Sequence, residues 1–251
     1  MKTFIKSNPQ LPSDTLLKEA QGLEMLRQAL SESQNPYLNI PIIHAVDIQE
    51  LRLEHIENSS PTSEQIHRLG QGLAQLHKIR QDRYGLGEDN YIGLAPQANI
   101  WCEHWGEFFA EYRLAIQINR ICDASVRQNF AKILTEQKSR LTGFLNTHCE
   151  HPSLLHGDLW SGNVMFDREK IWLIDPAVYY GDREADVAMT EMFGGFNSVF
   201  YQAYDAVLPR SSVYRQKQEI YNLYHYLNHY NLFGSGYLSH CEQGFEALQK
   251  L

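Results

Sequence analysis

Three oxygen-bearing side chains stand at telling intervals in the second half of the chain. Asp158 and Asn163 belong to the run His156-Gly157-Asp158-Leu159-Trp160-Ser161-Gly162-Asn163, which reads H-x-D-x-x-x-x-N. Asp175 closes the apolar stretch Ile171-Trp172-Leu173-Ile174 shortly afterwards. A carboxylate at Asp158 can receive the proton of an attacking hydroxyl. The amide oxygen of Asn163 and the carboxylate of Asp175 suit a hard cation such as Mg²⁺ on a nucleotide. In this order and spacing, they imply phosphoryl transfer from ATP to an alcohol, with Asp158 as base and Asn163 and Asp175 as metal ligands.

Each residue also has a plainer reading. A lone His-Gly-Asp can be an Asx turn, and a lone Asn is more often a turn residue than a ligand. Asp175 resists that dismissal, because a carboxylate ending a buried strand needs a partner or a metal. Pro176-Ala177 follows it where protein kinases carry Phe-Gly. His156 reads as a structural histidine bonded to backbone.

Lys6 lies on a short apolar strand, and the next helix carries Glu19 on its inward stripe. That order matches the Lys–Glu pair that positions α- and β-phosphates, although a solvated strand-end lysine would look the same. Trp160, inside the loop between base and ligand, is placed to stack on a sugar ring. The run Tyr179-Tyr180-Gly181-Asp182-Arg183-Glu184-Ala185-Asp186 could line a polyol pocket through Tyr180 and Asp182. Alternatively Asp182 caps the next helix while Arg183 pairs with Glu184 or Asp186. His225 and His229 sit four apart on a helix, but no Glu follows the first, so packing is the better reading than metal binding.

The elements that must hold these groups follow from periodicity. Thr3 to Lys6 reads as a strand. Ser13 or Asp14 can cap a helix with the stripe Leu16, Leu17, Ala20, Leu23, Leu26 and Leu30. Pro41 to Val46 and Glu50 to Ile56 read as strands, the second with Leu51, Leu53 and His55 alternating. Thr62 and Gln65 form a capping box for a helix burying Ile66, Leu69, Leu73 and Leu76. Tyr84 to Gly93 reads as a loop. One helix is expected to carry Trp101, Trp105, Phe108, Phe109 and Tyr112, and another to run from Ala124 to His148. The motif region reads as strand, loop, strand, strand: Leu154-Leu155, Val164 to Phe166, Ile171 to Ile174. Helices are expected over Arg183 to Phe193, Ser198 to Ala206 and Val213 to Leu232.

With 251 residues, 43% of them hydrophobic, the chain can bury a large core. Its formal net charge of −8, without a Lys/Arg run, speaks against nucleic acid or an anionic membrane as partner. Four scattered cysteines, Cys102, Cys122, Cys149 and Cys241, read as reduced thiols. No signal peptide or membrane-spanning stretch is evident, so the expectation is a cytoplasmic protein.

Taken together, the chain resembles the fructosamine-3-kinase or ketoamine kinase family, within the aminoglycoside-phosphotransferase and choline-kinase-like group. The resemblance rests on the His156–Asn163 run and on Asp175-Pro176-Ala177-Val178-Tyr179-Tyr180 through Asp186. It extends to Met192-Phe193-Gly194-Gly195-Phe196, Tyr221 to His229, Glu19-Ala20-Gln21-Gly22-Leu23, and Gly85-Leu86-Gly87 through Gly93. It covers nearly the whole chain, and the Asp175–Asp186 run is specific to this family. The resemblance implies an α+β, two-lobed, protein-kinase-like fold, with a small β lobe over residues 1–57 and a large helical lobe over 58–251. It implies ATP and Mg²⁺ as cofactors, Lys6 paired with Glu19, and Glu54-His55-Ile56 as the hinge whose backbone receives adenine. The implied reaction phosphorylates the C3 hydroxyl of a ketoamine, small or protein-bound, which labilises this early glycation adduct.

Such kinases place two strands and a Gly- or Ser-rich turn before the lysine strand, whereas five residues precede Lys6 here. The expectation is therefore a truncated β lobe with weak ATP binding and slow turnover. A kinase of another alcohol, such as choline or an aminoglycoside, is the neighbouring alternative, against which the Asp175–Asp186 run speaks. A catalytically silent binding module is the alternative from another class.

Overall fold

The computed structural model describes residues 2–8 and 14–251. The chain opens with strand β1 (Thr3–Ser7) and helix α1 (Thr15–Glu32), followed by β2 (Leu38–Asn39), β3 (Ile43–Val46) and β4 (Glu50–Glu54). Strands β1, β4 and β3 form an antiparallel sheet in that order, with Lys6 opposite Leu51. Leu51 and Leu53 face the core from this sheet, whereas His55 is exposed beyond its end. Helix α1 buries Leu16, Ala20, Leu23, Leu26 and Leu30 at helical spacing, with Leu17 half-buried. Asp14 stands at its N-cap position but does not cap it; its carboxylate instead accepts the Tyr91 hydroxyl at 2.6 Å. Ser13, the other expected cap, lies outside the described residues.

Helix α2 (Ser63–Leu76) starts at the expected capping box: the Gln65 amide donates to the Thr62 hydroxyl and the Thr62 amide to Gln65 Oε1. The stretch from Tyr84 is less loop-like than its glycines suggest. After two isolated bridges comes a hairpin of β5 (Asn90–Ile92) and β6 (Ala95–Gln97), turning at Gly93. The aromatic segment is not one helix. Trp101 precedes α3 (Trp105–Phe108), which passes into a π-helical stretch (Phe109–Ala115) and then α4 (Ile116–Asn119). Buried Arg113 in the π stretch lays its guanidinium over Tyr179 at 4.1 Å and Phe108 at 4.6 Å.

Helix α5 (Ala124–His148) has the expected bounds, and Asp123 caps it through the amides of Ser125 and Val126. The motif region folds as β7 (Ser153–Leu155), β8 (Val164–Phe166) and β9 (Ile171–Leu173). It continues into β10 (Tyr179–Gly181), which pairs antiparallel with β7. Helices α6 (Glu184–Met192), α7 (Ser198–Val207), α8 (Tyr214–Phe233) and α9 (Leu238–Gln249) complete the chain.

The architecture is a small sheet carrying α1 against a large helical part, with the motif hairpin between them. Strand β2 runs parallel to β9, Leu38 beside Ile171, and so joins the N-terminal segment to that hairpin. One apolar cluster contains Leu23 and Leu26 of α1 with Leu159, Val164 and Leu173; a second fills the helical part around Trp105 and Tyr221. Among the described residues no helix is long and apolar enough to cross a membrane.

Candidate active site

Strand β7 delivers the chain into His156-Gly157-Asp158, and the site depends on how that turn is held. The His156 imidazole is fully buried, and burial keeps it below the usual histidine range and therefore neutral. With Nε2 donating to Ile174 O at 2.9 Å, Nδ1 is left facing the Asp158 amide at 3.4 Å. Gly157 adopts φ +82°, and a Cβ there would sit 2.0 Å from Ala177 O, so only glycine fits. The Ala177 amide returns a bond to His156 O at 2.8 Å. These contacts stitch the loop to residues 174–177 and bring Asp158 and Asp175 to one cavity.

That cavity, about 420 Å³, is lined by Lys6, Glu19, Asp158, Trp160, Asn163 and Asp175 among others. Burial pushes the Asp158 carboxyl up to about 7; the Asn163 hydrogen bond opposes this shift and the nearby Asp175 charge adds to it. Asn163, ending a single 3₁₀ turn, donates Nδ2 to Asp158 O at 2.8 Å and to Asp158 Oδ2 at 3.3 Å. Its amide oxygen is the atom left for a cation. Asp175 has φ +54°, an uncommon conformation for a side-chain-bearing residue, at the point where its carboxylate enters the cavity.

Lys6 Nζ bridges Glu19 Oε1 at 2.8 Å and Asp175 Oδ1 at 2.5 Å. Burial opposes the ammonium charge, but the two carboxylates outweigh it and hold Lys6 above its ordinary value. Burial likewise lifts Glu19, with Lys6 countering it. Lys6 and Lys18 line the cavity with the carboxylates of Glu19, Asp158 and Asp175, and Lys18 is paired with Glu88, so the cavity is negative when the three carboxylates are ionised. Asp175 and the Asn163 oxygen fit a divalent cation that completes its shell with phosphate oxygens and water. Among the described residues, no group of three or more His, Cys, Asp or Glu forms a ready-made metal cage, at His225 and His229 included. His229 instead sets Nδ1 against His225 O at 2.7 Å.

Trp160 lies with its ring over Gly162, where a Cβ would meet the indole at 2.2 Å, and remains 39% exposed at the cavity wall. Tyr180 and Asp182 are not brought to this site. The backbone of Tyr180 pairs with Gly85 and its ring packs beside Trp101. Asp182 is buried one residue ahead of the Arg183 N-cap position of α6, accepts the Glu184 amide at 3.0 Å, and holds Lys217 Nζ at 2.7 Å and the Tyr221 hydroxyl at 2.6 Å. A lysine 35 residues away claims that carboxylate, which no local pattern signals. Arg183 departs from expectation too. It reaches Pro209 O at 2.6 Å and Glu150 at 3.5 Å, while Glu184 pairs with Lys217.

Glu54, His55 and Ile56, expected to form the hinge, line a separate depression of about 540 Å³ beside Asp167–Lys170. Two of their amides are already engaged, Glu54 N with Ile42 O and His55 N with Lys2 O.

Sequence reasoning missed Asp186 as the residue that holds the turn. Its fully buried carboxylate accepts the amides of His156 at 2.7 Å and Gly157 at 2.9 Å, and lies 3.2 Å from His77 Nε2. Burial would raise this carboxyl, but His77, His156 and the Gly157 amide keep it below the usual range. The β5–β6 hairpin was missed as well. Asn90 and Gln97 donate to Val178 O and Ala177 O, which fixes the hairpin over the Asp175 segment.

The fructosamine kinase family profile matches residues 1–250. A "Probable ketoamine kinase" of Synechocystis sp. is 38% identical over 247 residues, covering 96% of this chain and 81% of the relative. The chloroplastic protein-ribulosamine 3-kinase of Arabidopsis thaliana is 38% identical over 246 residues, covering 94% and 72%. The solved structure of a "putative fructosamine-3-kinase" from Thermobifida fusca YX-ER1 superposes with a TM-score of 0.85 at 28% identity. It covers 99% of this chain and 86% of that one. An ADP-bound aminoglycoside phosphotransferase shares the protein-kinase-like fold at a TM-score of 0.54 and 16% identity, covering 99% and 92%.

Proposed function

The chain belongs to the fructosamine kinase family, and we propose that it moves the γ-phosphoryl group of ATP onto the C3 hydroxyl of ketoamines. The observation that carries this reading is the meeting of Asp158, Asn163, Asp175 and Lys6 around one cavity. Asp158 orients the C3 hydroxyl and receives its proton as the new O–P bond forms and the bond to ADP breaks. Asn163 and Asp175 would hold Mg²⁺, which when bound offsets charge on the phosphate oxygens. Lys6, steadied by Glu19, turns its ammonium from Asp175 to the α- and β-phosphates. Ile56 is the hinge position we assign to adenine, since the Glu54 and His55 amides are engaged. Residues 1–57 form the nucleotide side of this scheme, and 58–251 the catalytic and acceptor side. Trp160 packs on the sugar.

The test is ATP consumption with fructoselysine and ribuloselysine, with mass spectrometry of the acceptor. A gain of one HPO₃ on the ketoamine, abolished by Asp158→Ala, is expected. Turnover with choline or an aminoglycoside alone would move the reading to another alcohol.

A further inference from the structure

A second cavity, about 380 Å³, adjoins the first and shares Gly93, Leu94, Asp158 and Trp160 with it. Its wall is a chain of rings. Trp160 lies 6.1 Å edge-on from Phe193, Phe193 lies 5.3 Å from His229, and His229 lies 5.5 Å from Phe233 and 5.1 Å from Tyr237. Eleven large apolar side chains are exposed among the described residues, and five of them, Leu94, Trp160, Phe193, Leu232 and Phe233, line this one cavity. Such clustering of exposed apolar surface marks a binding site.

Charge is as informative as shape. Among its described lining residues, Asp158 is the sole carboxylate and no lysine or arginine is present. Burial lowers His229 below the usual histidine range, so this ring is neutral at pH 7. Buried Asn228 is occupied by the Gln117 amide.

In a ketoamine the nitrogen sits on C1, two carbons from the C3 hydroxyl that must reach Asp158. The nitrogen's substituent therefore departs from beside Asp158, and this cavity lies directly there. Resting on the ketoamine reading above, we propose that the ring-lined cavity takes an uncharged alkyl or aryl substituent on the amine nitrogen. It discriminates against ketoamines with a carboxylate next to that nitrogen. A secondary ammonium is favoured by the faces of Trp160 and Phe193, and the substituent by Phe233, Tyr237 and Leu232. A carboxylate at the α-carbon would find no cation in the wall and would face Asp158.

The test compares N-ribulosyl-phenethylamine with N-ribulosyl-glycine on wild type, Phe233→Ala, Phe193→Ala and Phe233→Lys. Phe233 is 64% exposed, so its removal leaves the fold intact. The expected result is a KM for the phenethylamine adduct raised about tenfold in either alanine variant, with kcat and the KM for ATP unchanged. Phe233→Lys should improve the glycine adduct. Equal use of both adducts by wild type, or an unchanged ratio in every variant, overturns the proposal and leaves the kinase reading standing. Calorimetric binding of the same adducts separates the two. Phenethylamine adduct bound by wild type and lost in Phe233→Ala, without turnover of any acceptor, sinks the activity and keeps the wall. Binding of neither adduct overturns both. A dimer dissolved by Phe233→Ala with unchanged acceptor KM would assign the rings to self-association and overturn the proposal.

Discussion

The Gly157 amide donates to Asp186 Oδ1 at 2.9 Å, 29 residues ahead in the chain, and this bond fixes the turn that presents Asp158. The neighbouring His156 amide reaches the other oxygen of the same carboxylate. A fully buried charge is tolerated here because two amides and His77 surround it. Asp158 is thus aimed from the first turn of α6 as well as by the strand that precedes it.

Asp186→Asn should therefore loosen the loop without touching a substrate. The amide of asparagine can accept one of the two N–H groups, but its NH₂ then opposes the other. Losing one charge-assisted bond and opposing a donor should cost about 2–4 kcal/mol of stability. We expect kcat to fall more than tenfold while the KM for ATP changes little. Thermal unfolding and steady-state kinetics check this, and an unchanged melting temperature with unchanged kcat refutes the positioning role.

Asp158→Asn should separate stability from activity. Burial lifts the folded pKa to about 7, above the unfolded value of about 3.9. The folded protein thus binds the proton more tightly. The stability this confers is fully present below the unfolded value and is lost as pH rises through about 7. At pH 8 in EDTA, asparagine should stabilise the protein by on the order of 1–3 kcal/mol. Turnover should drop by about 10²–10⁴-fold. A variant less stable than wild type under those conditions would show that Asp158 is held charged by contacts other than a cation.

Local pattern made part of this architecture legible. The Thr62–Gln65 box starts α2, α5 runs over the expected Ala124–His148, and the strands flanking Asp158, Asn163 and Asp175 stand where their apolar runs place them. Every such signal acts over a few residues. What was hidden acts across the chain. Lys217 takes Asp182 away from solvent, Asp186 reaches back to Gly157, and β2 pairs with a strand 133 residues ahead, Leu38 beside Ile171. The aromatic wall collects rings from 160, 193 and 229–237, and no spacing rule announces such a set. In the aromatic segment, helical periodicity blurs because the backbone widens into the π stretch around Arg113.

Lys6→Met should weaken nucleotide binding. The ammonium spans Glu19 and Asp175, so its loss leaves two carboxylates without their shared cation and the phosphates without a donor. A hydrogen bond to a charged group contributes about 1.5–3 kcal/mol. The dissociation constant for ATP should rise by about tenfold to a hundredfold. Calorimetry measures it directly. Glu19→Gln should show a smaller loss, since Lys6 keeps Asp175 as a partner. Equal affinity in wild type and Lys6→Met would remove Lys6 from the nucleotide site.

Acid stability offers a test that needs no substrate. His225 is fully buried on α8, and its Nδ1 has no partner among the described residues. Burial above all, with His229 beside it and to a lesser extent Arg113, pushes the imidazole down to about 3, while Asp186 pulls the other way. The unfolded value is about 6.5, so between these limits the unfolded chain binds more protons. Stability from this residue is therefore complete above about 6.5 and declines as pH falls, by at most about 1.4 kcal/mol per pH unit. His225→Phe keeps a ring beside Tyr224, removes the unpartnered nitrogen and cannot titrate. The melting temperature of this variant should fall less steeply from pH 7 to pH 4.5 than that of wild type. Buried His156 retains its own share of the slope, so the curve flattens without becoming level. Parallel curves for the two proteins would mean that His225 takes up its proton without cost in the folded state, and that α8 has a route to water there.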